Sequence, residues 1–76
     1  MKNSYQHLHH IIQTFGIDVS DFYTITFTEY EISLQGHQSS SKMAKYDEFF
    51  KFELDKHNYL KAESKLDGFR VTITLT

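Results

Sequence analysis

The chain contains no cysteine and no tryptophan, and only three of its 76 residues are glycine. Without cysteine no disulfide can stabilise the fold, and zinc sites built on thiolates are excluded. No glycine-rich phosphate-binding loop occurs, and no apolar run approaches the roughly 20 residues that a membrane-spanning helix needs. We therefore expect a fold that depends on its apolar core, to which seven Phe and five Tyr contribute.

The net charge is −2, so the chain as a whole has no excess of positive charge with which to bind a polyanion. Its distribution is uneven, because residues 17–36 contain four carboxylates and no Lys or Arg. Such a segment repels nucleic acid and can attract a basic partner, although carboxylates also simply keep a small protein soluble. The first ten residues lack the apolar stretch of a secretion signal. Together with the absence of cysteine, this predicts one small cytoplasmic domain over residues 1–76.

Residues 49–76 alternate apolar and polar side chains through three successive runs. In the last run Phe69, Val71, Ile73 and Leu75 alternate with Arg70, Thr72, Thr74 and Thr76. Successive strand side chains point to opposite faces of a sheet, so each run has one face for a core and one for water. Asp67-Gly68 is the strongest turn signal, and Asn58 suits a second turn. This stretch predicts an antiparallel β-meander.

Upstream, the spacing of apolar residues predicts a helix over residues 4–15, ended by Gly16. Residues 22–28 and 30–35 alternate like strands, either as a hairpin turning near Thr28-Glu29 or as one long bulged strand. A short second helix follows at residues 42–49. The predicted order is α-β-β-α-β-β-β, an α+β fold with a small antiparallel sheet of four to five strands and two helices on one face.

No set of residues indicates catalysis or a cofactor. His7 and His10 share one side of the first helix while His9 points to the other flank, so only two imidazoles converge where a zinc ion needs three or four ligands. Ser39, Ser40 and Ser41 lie near a histidine, but neighbours in a loop are no sign of a catalytic triad. We expect no enzyme activity, no metal and no cofactor.

The predicted open face of the sheet offers one candidate for nucleic-acid binding. Tyr59 could stack on a base, and Lys61, Lys65 and Arg70 form a modest basic stripe that Glu63 interrupts. A weak RNA- or DNA-binding sheet is therefore an alternative function rather than the leading one.

Protein binding is the leading expectation. The candidate contacts are the acidic residues of the segment from Asp18 to Glu31, with a nearby tyrosine as a possible aromatic anchor: Asp18, Asp21, Glu29, Tyr30 and Glu31. A sheet edge that pairs with another chain, including a second copy, is a further alternative.

In general character the chain is small, cysteine-free, acidic in its middle and without catalytic motifs. In this it resembles accessory proteins of bacteriophages and mobile elements, including inhibitors of host defence such as anti-CRISPR proteins. The resemblance covers no motif. It implies stoichiometric binding to a host protein that has a basic surface, with carboxylates standing in for nucleic-acid phosphates.

Overall fold

A computed structural model describes residues 4–66 and 68–76, with side chains from residue 8 onward. Its helices and strands follow the predicted order. They are α1 (Ser4–Phe15), β1 (Thr24–Phe27), β2 (Glu31–Gly36), α2 (Ser40–Tyr46), β3 (Glu53–Leu54), β4 (Leu60–Leu66) and β5 (Phe69–Leu75). A short 3₁₀ turn, Val19–Asp21, joins α1 to β1. The predicted α+β fold is confirmed.

The five strands form one sheet in the order β1-β2-β5-β4-β3. The β-meander at the end of the chain is confirmed, because β3 pairs antiparallel with β4 and β4 with β5. β1 and β2 form an antiparallel hairpin, so the alternative of one long bulged strand is wrong. The sheet is not wholly antiparallel, since β2 and β5 run parallel at its centre. The chain reaches β5 only after crossing from β2 through α2, β3 and β4, which is the kind of long connection that parallel strands need.

The core lies on one face of the sheet, beneath the helices. α1 contributes Ile11 and Phe15, and α2 contributes Tyr46. The apolar side chains that β2 and β5 bury there are Ile32, Leu34, Phe69, Val71, Ile73 and Leu75. The burial of alternate residues along β5 confirms its predicted core face. No helix in the described part of the chain is long and apolar enough to cross a membrane.

Glycine and asparagine end elements where backbone geometry requires them. Gly16 has a φ of 65° and ends α1, with its N–H bonded to the carbonyl of Gln13 and the N–H of Ile17 bonded to that of Ile12. These two bonds form a Schellman motif, which satisfies carbonyls at the helix end. Asn58 has a φ of 63° in the β3–β4 turn, as predicted, and Gly68 has a φ of 81° in the β4–β5 turn. Asp67 of that turn lies outside the described residues.

The two edge strands bury less than the alternation predicts. Ile25 lies on the core face opposite Leu34, yet it is 40% exposed because it belongs to the outermost strand. At the other edge, β3 is only two residues long, and Leu54 is 65% exposed although it pairs with Leu60 on the core face. Alternation predicts the face of a residue correctly here, but burial also depends on whether a helix reaches that strand.

Candidate protein-binding surface

The turn between β1 and β2 is stabilised by hydrogen bonds to the side chain of one of its own residues, Thr28. The Thr28 N–H donates to the carbonyl of Glu31 at 2.9 Å, which leaves Glu29 and Tyr30 as a two-residue turn. Neither turn residue has the positive φ that a type I′ turn requires. The Thr28 hydroxyl instead accepts hydrogen bonds from the N–H groups of Tyr30 at 3.3 Å and Glu31 at 3.1 Å. The Thr28 side chain thus stabilises a two-residue turn that in other hairpins is favoured by an Asn-Gly sequence.

The neighbouring strand fixes the same turn from the other side. The N–H of Arg70, at the start of β5, donates to the carbonyl of Tyr30 at 3.0 Å. The backbone of Tyr30 is therefore bonded both to the Thr28 side chain within the turn and to Arg70 of β5, while its side chain is 75% exposed. Glu29 forms no ion pair with any described residue. An aromatic side chain on a fixed backbone, beside a free carboxylate, loses little conformational entropy when it binds.

Glu31 lies next to this turn but on the open face of the sheet. It pairs with Arg70 at 3.1 Å, and Arg70 also approaches Glu63 at 3.6 Å. Such pairs between partly exposed side chains contribute about 0–1 kcal/mol each. These pairs also partly neutralise the charge of the surface beside the turn. Of the carboxylates predicted to bind a partner, Glu29 is the one that no described cation neutralises.

Asp18 and Asp21 form a separate cluster around α2. Asp21 accepts hydrogen bonds from the Lys45 ammonium at 2.9 Å and from the Tyr46 hydroxyl at 2.7 Å. Asp18 caps the 3₁₀ turn by accepting from the N–H of Ser20, and its own N–H donates to the Tyr46 hydroxyl at 3.0 Å. Lys45 also reaches Asp18 at 3.4 Å. These contacts tie the segment after α1 to α2.

The electrostatics of this cluster follow from those contacts. Hydrogen bonds from Ser20 lower the pKa of Asp18, and hydrogen bonds from Tyr46 and Lys45 lower the pKa of Asp21. The hydrogen bond to Asp21 raises the pKa of Lys45. Burial raises the pKa of Tyr46 to about 12, and its hydrogen bond to Asp21 adds to the shift. Both carboxylates already have partners within the protein, so their first role is to hold the segment after α1 against α2.

The predicted site therefore divides into two places. Asp18 and Asp21 precede β1, whereas Glu29, Tyr30 and Glu31 follow it, and the four residues of β1 lie between them. At about 3.3 Å per strand residue the two groups are more than about 13 Å apart. These five residues do not form one continuous acidic surface, and those of them that are exposed and unpaired lie at the β1–β2 turn.

The residues of the nucleic-acid alternative do share the open face. Lys61 pairs with Asp55 at 3.3 Å, and Arg70 is engaged by two glutamates. Lys65 lies opposite Arg70 and has no ion pair with a described residue. Tyr59, which immediately precedes β4, packs near His57 with ring centroids 5.9 Å apart. The open face presents paired charges rather than a basic stripe.

The same face contains a shallow open concavity of about 520 Å³. Its lining alternates glutamates and lysines with the threonines of β5: Glu31, Lys51, Glu53, Lys61, Ala62, Glu63, Thr72, Ile73 and Thr74. A site with opposite charges interleaved has no net field to concentrate an anion or a cation.

The histidines are dispersed. His9 and His10 are exposed on α1, and the side chain of His7 lies outside the described residues. His37 stacks near Tyr23, with ring centroids 4.9 Å apart. Among the described residues no group of three or more metal-ligating side chains comes together.

Comparisons of the chain with protein-family models, with curated proteins and with solved structures find no match in any of the three. The arrangement of its own residues is therefore what bears on function. Two features of that arrangement escape sequence reasoning. The first is the Tyr46 hydroxyl, which links segments 25 residues apart. The second is the open sheet edge at β1, for which the sequence offers only one signal, the lack of charge in residues 22–28.

Proposed function

We propose that this protein is a non-enzymatic module that binds another protein through its β1–β2 turn. Tyr30 is the anchor, and Glu29 with Glu31 supplies negative charge beside it. The supporting observation is the combination of a 75% exposed aromatic ring with a backbone hydrogen-bonded to the Thr28 side chain and to Arg70 of β5. Interface energy concentrates in such aromatic anchors.

The partner that fits this turn has a shallow apolar pocket with Lys or Arg at its rim. Tyr30 fills the pocket, and Glu29 meets the cations without first breaking an ion pair of its own. The module acts by occupying a surface of its partner in a stoichiometric complex, as the resemblance to phage accessory proteins implies. Inhibition of a host protein in the cytoplasm is the corresponding biological role.

Affinity capture with matched variants tests this proposal. Wild-type protein, Tyr30→Ala, Glu29→Lys and two controls are immobilised and exposed to an extract of the native host. The controls are Tyr59→Ala, which truncates a tyrosine that is 41% exposed elsewhere, and Glu48→Lys, which makes the same charge change away from the turn. The proteins retained are quantified by mass spectrometry, and the leading one is purified for titration.

We expect one partner that both controls retain and that Tyr30→Ala loses, with a dissociation constant raised by at least about tenfold in titration. Glu29→Lys should slow association, an effect that shrinks as salt rises. A partner that Tyr30→Ala binds as tightly as wild type would refute the assignment. A gel shift with RNA or DNA at low salt would favour the nucleic-acid alternative, since phosphate binding weakens steeply with salt.

A further inference from the structure

The two edges of the sheet are protected very differently. β3 is two residues long, and it carries Glu53 with Lys51 and Asp55 on either side. Short length and charge are the usual protection of an edge strand against pairing with another chain. β1 is twice as long, and residues 22–28 contain neither charge nor proline. The β1 edge therefore lacks both forms of protection.

The hydrogen bonding of β2 shows which groups this edge leaves free. Because Thr28 and Glu31 are bonded across the turn, alternation in an antiparallel pair directs the backbone groups of Thr26 and Thr24 toward β2 as well. The N–H and carbonyl groups of Ile25 and Phe27 consequently point away from the sheet. Tyr23 differs from them, because its N–H is already bonded to the carbonyl of Gln35 at 2.9 Å.

We propose that β1 pairs antiparallel with β1 of a second copy of this chain, centred on Thr26, so that the two five-stranded sheets become one. This surface is distinct from the β1–β2 turn. In this register Ile25 of each copy lies opposite Phe27 of the other. Their free N–H and carbonyl groups form four hydrogen bonds, and none requires the N–H of Tyr23. A register centred on Ile25 would place Phe27 opposite Tyr23, whose N–H is occupied.

The side chains suit the same register. A two-fold contact places each strand against its own sequence, so any charge near the axis would meet its like, and residues 22–28 have none. Ile25 is 40% exposed, and pairing covers it with Phe27 of the second copy. On the opposite face Thr26 meets Thr26, and Thr24 meets Thr28. Aromatic with β-branched residues and threonine with threonine are favourable cross-strand pairs.

Sedimentation velocity from micromolar to millimolar protein tests the pairing. We expect a monomer–dimer equilibrium with a micromolar dissociation constant, because one strand pair buries less than the standard interface of about 1,600 Å². Ile25→Lys should raise that constant by about tenfold or more, as lysine on an edge opposes pairing. Leu54→Lys is the matched control, since Leu54 is an exposed apolar residue on the other edge strand, and it should change nothing.

A charge swap at Thr26 tests the register. Thr26→Lys and Thr26→Glu each place like charges opposite one another at the axis and should weaken the dimer by roughly fivefold. Mixing the two variants places Lys against Glu and should restore the dimer as a heterodimer. A fold defect in either variant cannot produce this recovery, and circular dichroism of each variant checks the fold directly.

A monomer at every concentration would overturn the proposal. Dissociation by Leu54→Lys with no effect of Ile25→Lys would overturn it too, because it would place the contact at β3. A dimer that Ile25→Lys disrupts but that fails to recover when the Thr26 variants are mixed would reject the register centred on Thr26.

Discussion

Replacing Tyr46 with Phe tests how the segment after α1 is held against α2. The ring of Tyr46 is 1% exposed and packs near Phe22 and Phe50, with centroids 5.7 and 6.4 Å away. Phenylalanine keeps that packing. What it removes is the hydroxyl, which donates to Asp21 at 2.7 Å and accepts from the N–H of Asp18 at 3.0 Å.

The stability that Tyr46→Phe removes comes from those two hydrogen bonds. A hydrogen bond to a charged group contributes about 1.5–3 kcal/mol, and a neutral one about 0.5–1.5 kcal/mol. Asp21 retains Lys45, and Asp18 is exposed enough for water to reach its N–H. We therefore expect Tyr46→Phe to lower the free energy of unfolding by about 2–3 kcal/mol. For a domain of this size that corresponds to a fall in Tm of roughly 8–24 °C.

The pH dependence of this loss distinguishes the hydroxyl from general damage to the core. The pKa of Tyr46 is 10.0 when unperturbed and about 12 in the folded protein. Between these values the unfolded chain has released the phenolic proton while the folded chain still holds it. Stability from this group is therefore complete below pH 10.0 and falls as pH rises toward about 12. The slope is about 1.4 kcal/mol per pH unit.

Urea unfolding of wild type and Tyr46→Phe at neutral pH and at steps through the alkaline range measures both effects. We expect the difference in unfolding free energy between the two proteins to narrow by about 3 kcal/mol through the alkaline range, because that slope applies over the two units from pH 10.0 to about 12. Tyr59→Phe is the control, because the Tyr59 hydroxyl has no hydrogen bond to a described residue, and it should stay within about 0.5 kcal/mol of wild type. A loss for Tyr46→Phe as small as that control, or a difference that stays constant with pH, would refute the reasoning.

Three further outcomes follow from burial, close approach and charge. Ile73→Asp should destabilise by more than about 4 kcal/mol because it buries a charge, while Thr72→Asp on the open face should cost less than about 1 kcal/mol; similar thermal melts would contradict the assigned faces. Gly36→Ala should cost about 1–3 kcal/mol in urea unfolding, since a Cβ there would lie 2.6 Å from the backbone oxygen of Asp21; an unchanged midpoint would mean that the strand shifts freely. Because the folded-state pKa of Asp21 is lowered from 3.8, its stabilisation is present above that pH and is lost in more acid solution. Asp21→Asn should therefore be less stable at neutral pH and lose less stability in acid, and an acid profile parallel to that of wild type would argue against this role.

The strands and their faces were predictable because alternation is a local property of the sequence. Phe69, Val71 and Ile73 specify a core face in any arrangement of neighbours. The position of β5 between β2 and β4 was not predictable, because a strand covered on one face alternates in the same way beside a parallel or an antiparallel neighbour. Strand order also decides burial, and for that reason Ile25 and Leu54 are exposed despite lying on the core face.

The candidate site was predictable in composition but not in arrangement. The carboxylates of residues 18–31 are close together in sequence, yet a strand runs between Asp21 and Glu29. The charges that neutralise them come from distant positions, Lys45 on α2 and Arg70 on β5. A sequence shows how many charges a segment has, but it does not show which of them folding brings into ion pairs.

The β1 edge and the β1–β2 turn are separate surfaces, but dimer formation would link their effects. In a dimer centred on Thr26, the two Tyr30 residues lie eight strand positions apart, or about 26 Å at 3.3 Å per residue. A partner with two matching pockets would then bind the dimer bivalently, and its second contact would form at an effective concentration near the millimolar range. Ile25→Lys would weaken capture of that partner without altering either turn, whereas Tyr30→Ala would abolish capture and leave the dimer intact. Affinity that is the same for wild type and Ile25→Lys would show that each turn binds its partner independently.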